Sequence, residues 1–68
     1  MARYATADET ARVFSLLDSG GWWTRWDLGR SAGVCFSHVD SALKAISFRK
    51  GFEIARSGSP VEYELRRV

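Results

Sequence analysis

The stretch TRWDLGRSAGVCFSHVDSALKAI, residues 24–46, has the pattern of two short helices joined by a tight turn. Thr24 is a typical N-cap residue, and Asp27 follows three residues later, where a carboxylate suits the positive end of a helix dipole. Gly33 is expected to end this helix because glycine readily adopts the left-handed conformation that closes a helix. The first half of the stretch therefore predicts a helix between Thr24 and Gly33.

The second half of the stretch predicts a longer helix, preceded by a turn over residues 34–36. Ser37 is expected to be its N-cap, with the acidic Asp40 three positions later, and the helix is expected to run to about Lys50. Its apolar side chains share one face and are Val39, Ala42, Leu43 and Ile46. The opposite face carries Ser37, Ser41, Lys44 and Phe48. One face is thus expected to pack on a core while the other faces outward.

Upstream of this stretch, the sequence predicts a helix and a short strand. Thr6 and Glu9 have the spacing of a capping box, so a helix is expected over roughly residues 7–18. Ser19-Gly20-Gly21 is expected to end it. Trp22-Trp23 is too short for a helix and is predicted to form a short strand.

Three tryptophans fall within five positions, which suggests either a stacking surface for bases or part of a hydrophobic core. Trp23 precedes the Thr24 N-cap and Leu28 is the fourth helical residue, which is the spacing of a hydrophobic staple. Trp26 lies about 160° from Leu28 around the helix. We therefore expect Trp23 to be buried, Trp26 to be exposed, and Trp22 to pack beside the C-terminal strands.

Downstream, the hydrophobic pattern changes to period two. Phe52 and Ile54 alternate with Glu53, and the apolar side chains of residues 61–65 alternate with glutamates. A turn-forming cluster over residues 56–60 separates the two segments. This pattern predicts an antiparallel hairpin.

The composition bounds the class of protein. A chain of 68 residues has room for one domain, here residues 1–68 with an ordered core of about 6–66, and 46% hydrophobic residues are ample for a core. A single cysteine, Cys35, fits a reducing compartment. No apolar run approaches the roughly 20 residues that cross a bilayer, and no signal-peptide pattern is present. We therefore expect a cytoplasmic protein without a membrane partner.

Cys35 and His38 have the Cys-x-x-His spacing that metal sites sometimes use. A structural zinc site needs four ligands, and the sequence offers no second pair. As a nucleophile and base, the two residues lack an orienting third group. We therefore expect no metal, no cofactor and no catalytic residues, and the chain is not expected to be an enzyme.

Positive charge is concentrated in the middle of the chain. The net charge is +2, and residues 25–56 contain six basic side chains and three acidic ones. This excess is compatible with nucleic-acid binding, although strong binders usually carry a denser stripe of lysine and arginine.

The chain resembles the winged helix-turn-helix domains of bacterial and phage regulators in three respects. The order of its elements is the same, and it has the helix-turn-helix spacing from Leu28 through Gly33-Val34 to Val39 and Leu43. The strands KGFEI and VEYEL match the two strands of the wing. The resemblance covers about residues 8–65. It implies an α+β fold with three helices, a C-terminal antiparallel hairpin as the wing, and a short strand before the second helix. It also implies that the third helix enters the major groove of a DNA duplex, while the wing contacts the backbone or the adjacent minor groove.

The resemblance implies a set of DNA-binding residues on the second and third helices and the wing. Some would contact base edges or nearby phosphates, and others would bind phosphate near the amino ends of helices. The residues are Thr24, Arg25, Arg30, Ser37, His38, Ser41, Lys44, Arg49, Lys50, Arg56 and Ser57.

Two functions from different classes follow. The resemblance favours a sequence-specific double-stranded DNA-binding protein, such as a small transcriptional regulator or a phage accessory protein, acting as a homodimer or cooperatively because one module offers few base contacts. The alternative is an adaptor that docks on a host or partner protein through Trp26, Phe36 and Phe48. The exposed aromatics, Asp40 and the modest net charge favour the alternative, since a carboxylate near the groove repels phosphate. Under the DNA-binding hypothesis, Asp40 has a capping role, and acidic side chains also accept from cytosine amino groups.

Overall fold

Three helices and three strands make up the chain between residues 4 and 68, which are the residues that the computed structural model describes. They are α1 (Ala7–Asp18), β1 (Trp23–Thr24), α2 (Arg25–Ala32), α3 (Phe36–Ser47), β2 (Phe52–Ser57) and β3 (Glu62–Arg67). The three strands form one antiparallel sheet, so the predicted α+β class is confirmed. Residues 1–3, which the predicted domain also includes, lie outside the described residues.

The predicted start of α1 is confirmed. The Thr6 hydroxyl accepts a hydrogen bond from the Glu9 backbone N–H at 3.1 Å, and the Glu9 carboxylate accepts one from the Thr6 backbone N–H at 3.0 Å. This reciprocal pair satisfies two amide donors that a helix start otherwise leaves without partners.

Both predicted ends of α2 are also confirmed. The Thr24 hydroxyl accepts from the Asp27 backbone N–H at 3.2 Å, and Gly33 ends the helix with a φ of +69°. Within α2, a Cβ on Gly29 would lie only 2.8 Å from the Val34 carbonyl oxygen. Glycine at this position therefore allows the chain that leaves α2 to turn back against it.

The predicted bounds of α3 are wrong at both ends. The helix begins at Phe36 with Cys35 as its N-cap, which makes no side-chain capping bond, so Ser37 is not the cap. The turn is short because Val34 is buried and its N–H donates to the Gly29 carbonyl, which returns the chain at once. At the other end, the helix stops at Ser47 rather than near Lys50.

The sheet has the order β1-β3-β2. The predicted hairpin is confirmed, with Ile54 opposite Leu65, but β2 continues through Ser57, so the connection is shorter than predicted. The strand β1 begins one residue later than predicted, because Trp23 and Thr24 pair with Tyr63 and Glu62 of β3.

The core lies between the helices and one side of the sheet. Its fully buried large side chains come from all three helices and are Val13, Leu17, Leu28, Val39 and Ile46. The predicted inward face of α3 is therefore confirmed. Trp23 is half-buried against this core, whereas Trp26 is 41% exposed. No helix in residues 4–68 combines the length and apolar character that a membrane span requires.

Candidate nucleic-acid interface

A polar groove runs between α3, the start of α2 and the β2–β3 hairpin. It encloses about 550 Å³, and we refer to it as the α3–hairpin groove. Its lining residues are Arg25, Asp40, Leu43, Lys44, Ser47, Phe48, Arg56 and Tyr63. Three separate segments of the chain thus contribute positively charged side chains to one surface.

Aromatic rings and an acidic side chain hold the two arginines of the groove. The Arg25 guanidinium lies 5.4 Å from the centre of the Trp26 ring, and its Nη1 donates to Asp40 Oδ2 at 3.2 Å. The Arg56 guanidinium lies 5.9 Å from the centre of the Tyr63 ring. An arginine supported in this way loses less conformational freedom when it binds an anion.

The charges of the groove suit an anionic ligand. Arg25, Lys44 and Arg56 supply three positive charges, and Asp40 supplies the negative charge among the lining residues. Phe48 adds an aromatic ring that is 77% exposed. This combination of cations and an accessible ring can bind phosphates and contact the apolar parts of bases.

The opposite flank of α3 is occupied by other parts of the chain. His38 Nδ1 lies 3.0 Å from Glu9 Oε1 of α1, and the Ser41 hydroxyl accepts from the Ala5 backbone N–H at 3.0 Å. Both side chains are half-buried. Two of the predicted DNA contacts therefore lie outside the α3–hairpin groove, where they hold α3 against α1 and the preceding segment.

The Glu9 carboxyl on this flank has a pKa below its usual range. The Thr6 backbone N–H is the main cause because it donates to the carboxylate, and the hydrogen bond and charge of His38 lower the pKa further against the opposing effect of desolvation. Folding therefore favours the ionised form of Glu9.

The remaining predicted DNA contacts are also spread beyond the groove. Thr24 serves as the α2 cap, and Ser37 Oγ lies 3.5 Å from Cys35 Sγ. The Arg49 guanidinium lies 5.1 Å from the centre of the Phe14 ring, on the α1 side. The others are exposed but do not line the groove, and they are Arg30, Lys50 and Ser57.

Trp26 and Phe36 form a second, apolar surface on the outside of α2 and the start of α3. Their ring centres are 6.2 Å apart in an edge-to-face arrangement. They lie beside a cleft of about 300 Å³, which we call the aromatic cleft. Its lining residues are Trp26, Gly29, Arg30, Val34, Cys35 and Phe36. Phe48 lines the α3–hairpin groove instead, so the three predicted interface aromatics do not share one surface.

Cys35 is exposed in the aromatic cleft, and its thiol pKa is lowered. The main cause is the hydrogen bond with the Ser37 side chain, followed by the His38 backbone N–H. These contacts stabilise the thiolate because both place hydrogen-bond donors beside the sulfur.

Five lining residues of the α3–hairpin groove are absent from the predicted DNA-binding set. Two of them had other predicted roles, since Leu43 was expected on the apolar face of α3 and Phe48 at a protein interface. The other three are Asp40, Ser47 and Tyr63. Asp40 lies fifteen positions after Arg25, and no local pattern indicates that their side chains meet. Ser47 is the last residue of α3, and no local pattern places its side chain beside the hairpin. Tyr63 was predicted only as one of the apolar residues that alternate with glutamates in the second strand, although its ring also supports Arg56.

The chain matches no protein-family model, and no curated protein or solved structure has significant similarity to it. In the part of the chain from residue 4 onward, no three His, Cys, Asp or Glu side chains group as ligands for a metal ion. The geometry of the two surfaces is therefore the basis for a functional assignment.

Proposed function

We propose that this chain is a winged helix-turn-helix domain that binds double-stranded DNA sequence-specifically. In this assignment α2 and α3 form the helix-turn-helix, and the β2–β3 hairpin is the wing. The observation that carries it is the convergence of Arg25, Lys44 and Arg56 in the α3–hairpin groove. These cations come from the first helix of the motif, the second helix and the wing, which are the parts expected to contact the backbone.

The exposed side of α3 supports the same assignment. An α-helix with its side chains is about 10–12 Å across, and the major groove of B-DNA is about 12 Å wide. Ser37, Asp40 and Lys44 are exposed on this side, so they can approach base edges. In our proposal α3 enters the major groove while the wing contacts the backbone or the adjacent minor groove.

Assembly on DNA is part of the proposal. A single domain with three groove cations makes few contacts with a duplex, and useful affinity then requires two copies on adjacent half-sites. We therefore propose a small transcriptional regulator or phage accessory protein that binds as a homodimer or cooperatively.

A salt titration with matched variants tests this function. A genome-fragment pull-down would first recover duplexes that the wild type binds. Fluorescence anisotropy would then measure binding to these labelled duplexes. Three proteins are compared: the wild type, an Arg25→Ala/Lys44→Ala/Arg56→Ala variant and an Arg30→Ala/Arg49→Ala/Lys50→Ala control. The first variant is expected to reduce the slope of log K against log salt by about 3, because each phosphate contact contributes about 1. The control removes equal charge outside the groove and is expected to reduce the slope less.

If the two variants reduce the slope equally, the DNA interface does not lie in the α3–hairpin groove. If the wild type shows no salt-dependent binding to any duplex fragment, the DNA-binding proposal is wrong.

The contact between Trp26 and Phe36 favours a second candidate function, docking on a host or partner protein. Both rings are over 40% exposed, at 41% and 45%, beside a cleft whose lining is largely apolar. Such aromatic pairs are enriched in protein interfaces. A partner that is recovered by the wild type and lost with Trp26→Ala, in a variant that keeps its secondary structure, would support this function. Loss of duplex binding in the same variant would instead assign Trp26 to the support of Arg25.

A further inference from the structure

Asp40 is the carboxylate that lines the α3–hairpin groove, and its charge opposes the approach of phosphate. Its side chain is 50% exposed, so part of it is accessible to a ligand. A neutral residue at this position would avoid the repulsion. The presence of a carboxylate in a groove with three cations therefore requires its own explanation, and this explanation rests on the DNA-binding function proposed above.

The orientation of Asp40 is set from one side by α2. Oδ2 accepts from Arg25 Nη1 at 3.2 Å, and the Trp26 ring supports the same guanidinium. Within residues 4–68, Oδ1 accepts no hydrogen bond from another side chain or from the backbone. A carboxylate has about four lone-pair sites, so Asp40 keeps the capacity to accept from a ligand while Arg25 holds it in place.

The bases of a duplex differ in how they would meet an acceptor at this position. In the major groove, guanine presents two acceptors and thymine presents an acceptor and a methyl group, so both disfavour a carboxylate. Adenine has an amino group, but its neighbouring N7 is an acceptor. Cytosine presents the N4 amino group as its donor without an adjacent acceptor, and aspartate accepts from it.

We propose that Asp40 is a specificity-determining residue that accepts a hydrogen bond from the N4 amino group of a cytosine in the major groove, and that Arg25 positions it. The bond with Asp40 also places the remaining N–H groups of Arg25 beside the same strand, where they can donate to a phosphate oxygen. The ion pair between Arg25 and Asp40 thus links a base contact made from α3 to a contact with the DNA backbone made from α2.

Selection from a randomised duplex library, followed by sequencing, tests this inference with the wild type, Asp40→Asn and Asp27→Asn. The wild type is expected to enrich a site with cytosine at one position. Asp40→Asn is expected to shift the preference at that position to adenine by roughly tenfold, because asparagine pairs with adenine N6 and N7. Asp27→Asn removes the same charge from an exposed residue outside the groove and is expected to select the wild-type site.

An Arg25→Ala variant separates a positioning role from a purely structural one. It is expected to weaken the cytosine preference at the Asp40 position while the preferences at other positions persist. Circular dichroism would check that each variant folds as the wild type does.

The outcomes distinguish the two proposals. If the wild type and Asp40→Asn select the same sequence, DNA binding stands and the role of Asp40 is overturned. If the wild type binds every duplex equally, both sequence-specific recognition and the role of Asp40 are overturned, and only non-specific DNA binding stands. If the wild type binds no duplex, both proposals are overturned.

Discussion

The two flanks of α3 carry similar polar residues but have different neighbours. On one flank, Lys44 lies in a groove that is open toward the hairpin and contains two further cations. On the other flank, His38 and Ser41 are half-buried against α1 and Ala5. A helical wheel places these residues on one outward face, since it contains no information about neighbouring segments. The difference shows that exposure on a helix surface is decided by the chain that packs beside it.

Ile46→Ala should have the largest effect because it removes the support that both flanks share. Ile46 is fully buried, and shortening such a side chain costs about 2–5 kcal/mol of unfolding free energy. This is a large fraction of the stability of a domain of this size. Urea unfolding followed by tryptophan fluorescence measures the loss. Ile54→Ala, at a half-buried position in β2, is the control and should lower the unfolding free energy less. If Ile46→Ala lowers the unfolding free energy no more than Ile54→Ala does, α3 is not central to the core.

Lys44→Ala should affect the open flank alone. The side chain is exposed and alanine is a good helix former, so unfolding free energy should change by less than about 0.5 kcal/mol. Duplex affinity should fall by roughly tenfold, as expected for the loss of one charge-assisted contact of about 1.5 kcal/mol. Fluorescence anisotropy at fixed salt measures this loss. Lys50→Ala removes an equal charge outside the groove; a matching loss of affinity there would mean that only net charge matters.

Ser41→Ala should give the opposite result on the closed flank. It leaves the Ala5 backbone N–H without its acceptor, at a cost of about 1 kcal/mol in unfolding free energy. Duplex affinity should be unchanged, since the serine lies outside the α3–hairpin groove. The matched control is Ser15→Ala, the same change at an exposed position on α1. A loss of duplex affinity in folded Ser41→Ala protein would show that this flank also contacts DNA.

Features determined by short segments were predictable from the sequence. Four such features depend on residues within a few positions of one another. They are the capping box at Thr6 and Glu9, the Thr24 cap, the end of α2 at Gly33 and the buried face of α3. The same local rules wrongly predict Ser37 as the N-cap of α3, because they favour a polar cap. They do not show that the Val34 N–H donates to the Gly29 carbonyl of α2, which brings the start of α3 forward.

Contacts between distant segments were beyond such rules. Asp40 was expected to act as a capping acid, but it is the fifth residue of α3 and bonds to Arg25. His38 was expected to face DNA, but it bonds to Glu9, twenty-nine positions away. The site thus depends on how α1, α2 and the hairpin pack around α3, and the helical period of α3 does not specify that packing.

The arginines illustrate the same limit. Among residues 4–68, five guanidinium groups lie over aromatic rings, whereas about one such contact is typical for 70–80 residues. Each pair needs a ring and a cation that the fold brings together, and only Arg25 with Trp26 is adjacent in sequence. A count of basic residues therefore overestimates the cations available in the α3–hairpin groove, because Arg49 and Arg67 lie over Phe14 and Phe52 instead.

The smallest expected effect is a pH dependence that originates on the closed flank. Because the pKa of Glu9 is lowered on folding, its contribution to stability is fully present above the ordinary pKa of 4.5 and is lost as the pH falls through the lowered pKa. Glu9→Gln removes the charge, so the wild type should lose its advantage over the variant on acidification. Thermal unfolding of both proteins across the acid range measures the difference in Tm. The control is Asp27→Gln, which places the same amide at an exposed acidic position on α2. If the Tm difference between the wild type and Glu9→Gln stays constant as the pH falls, the charge of the Glu9 carboxylate does not contribute to stability.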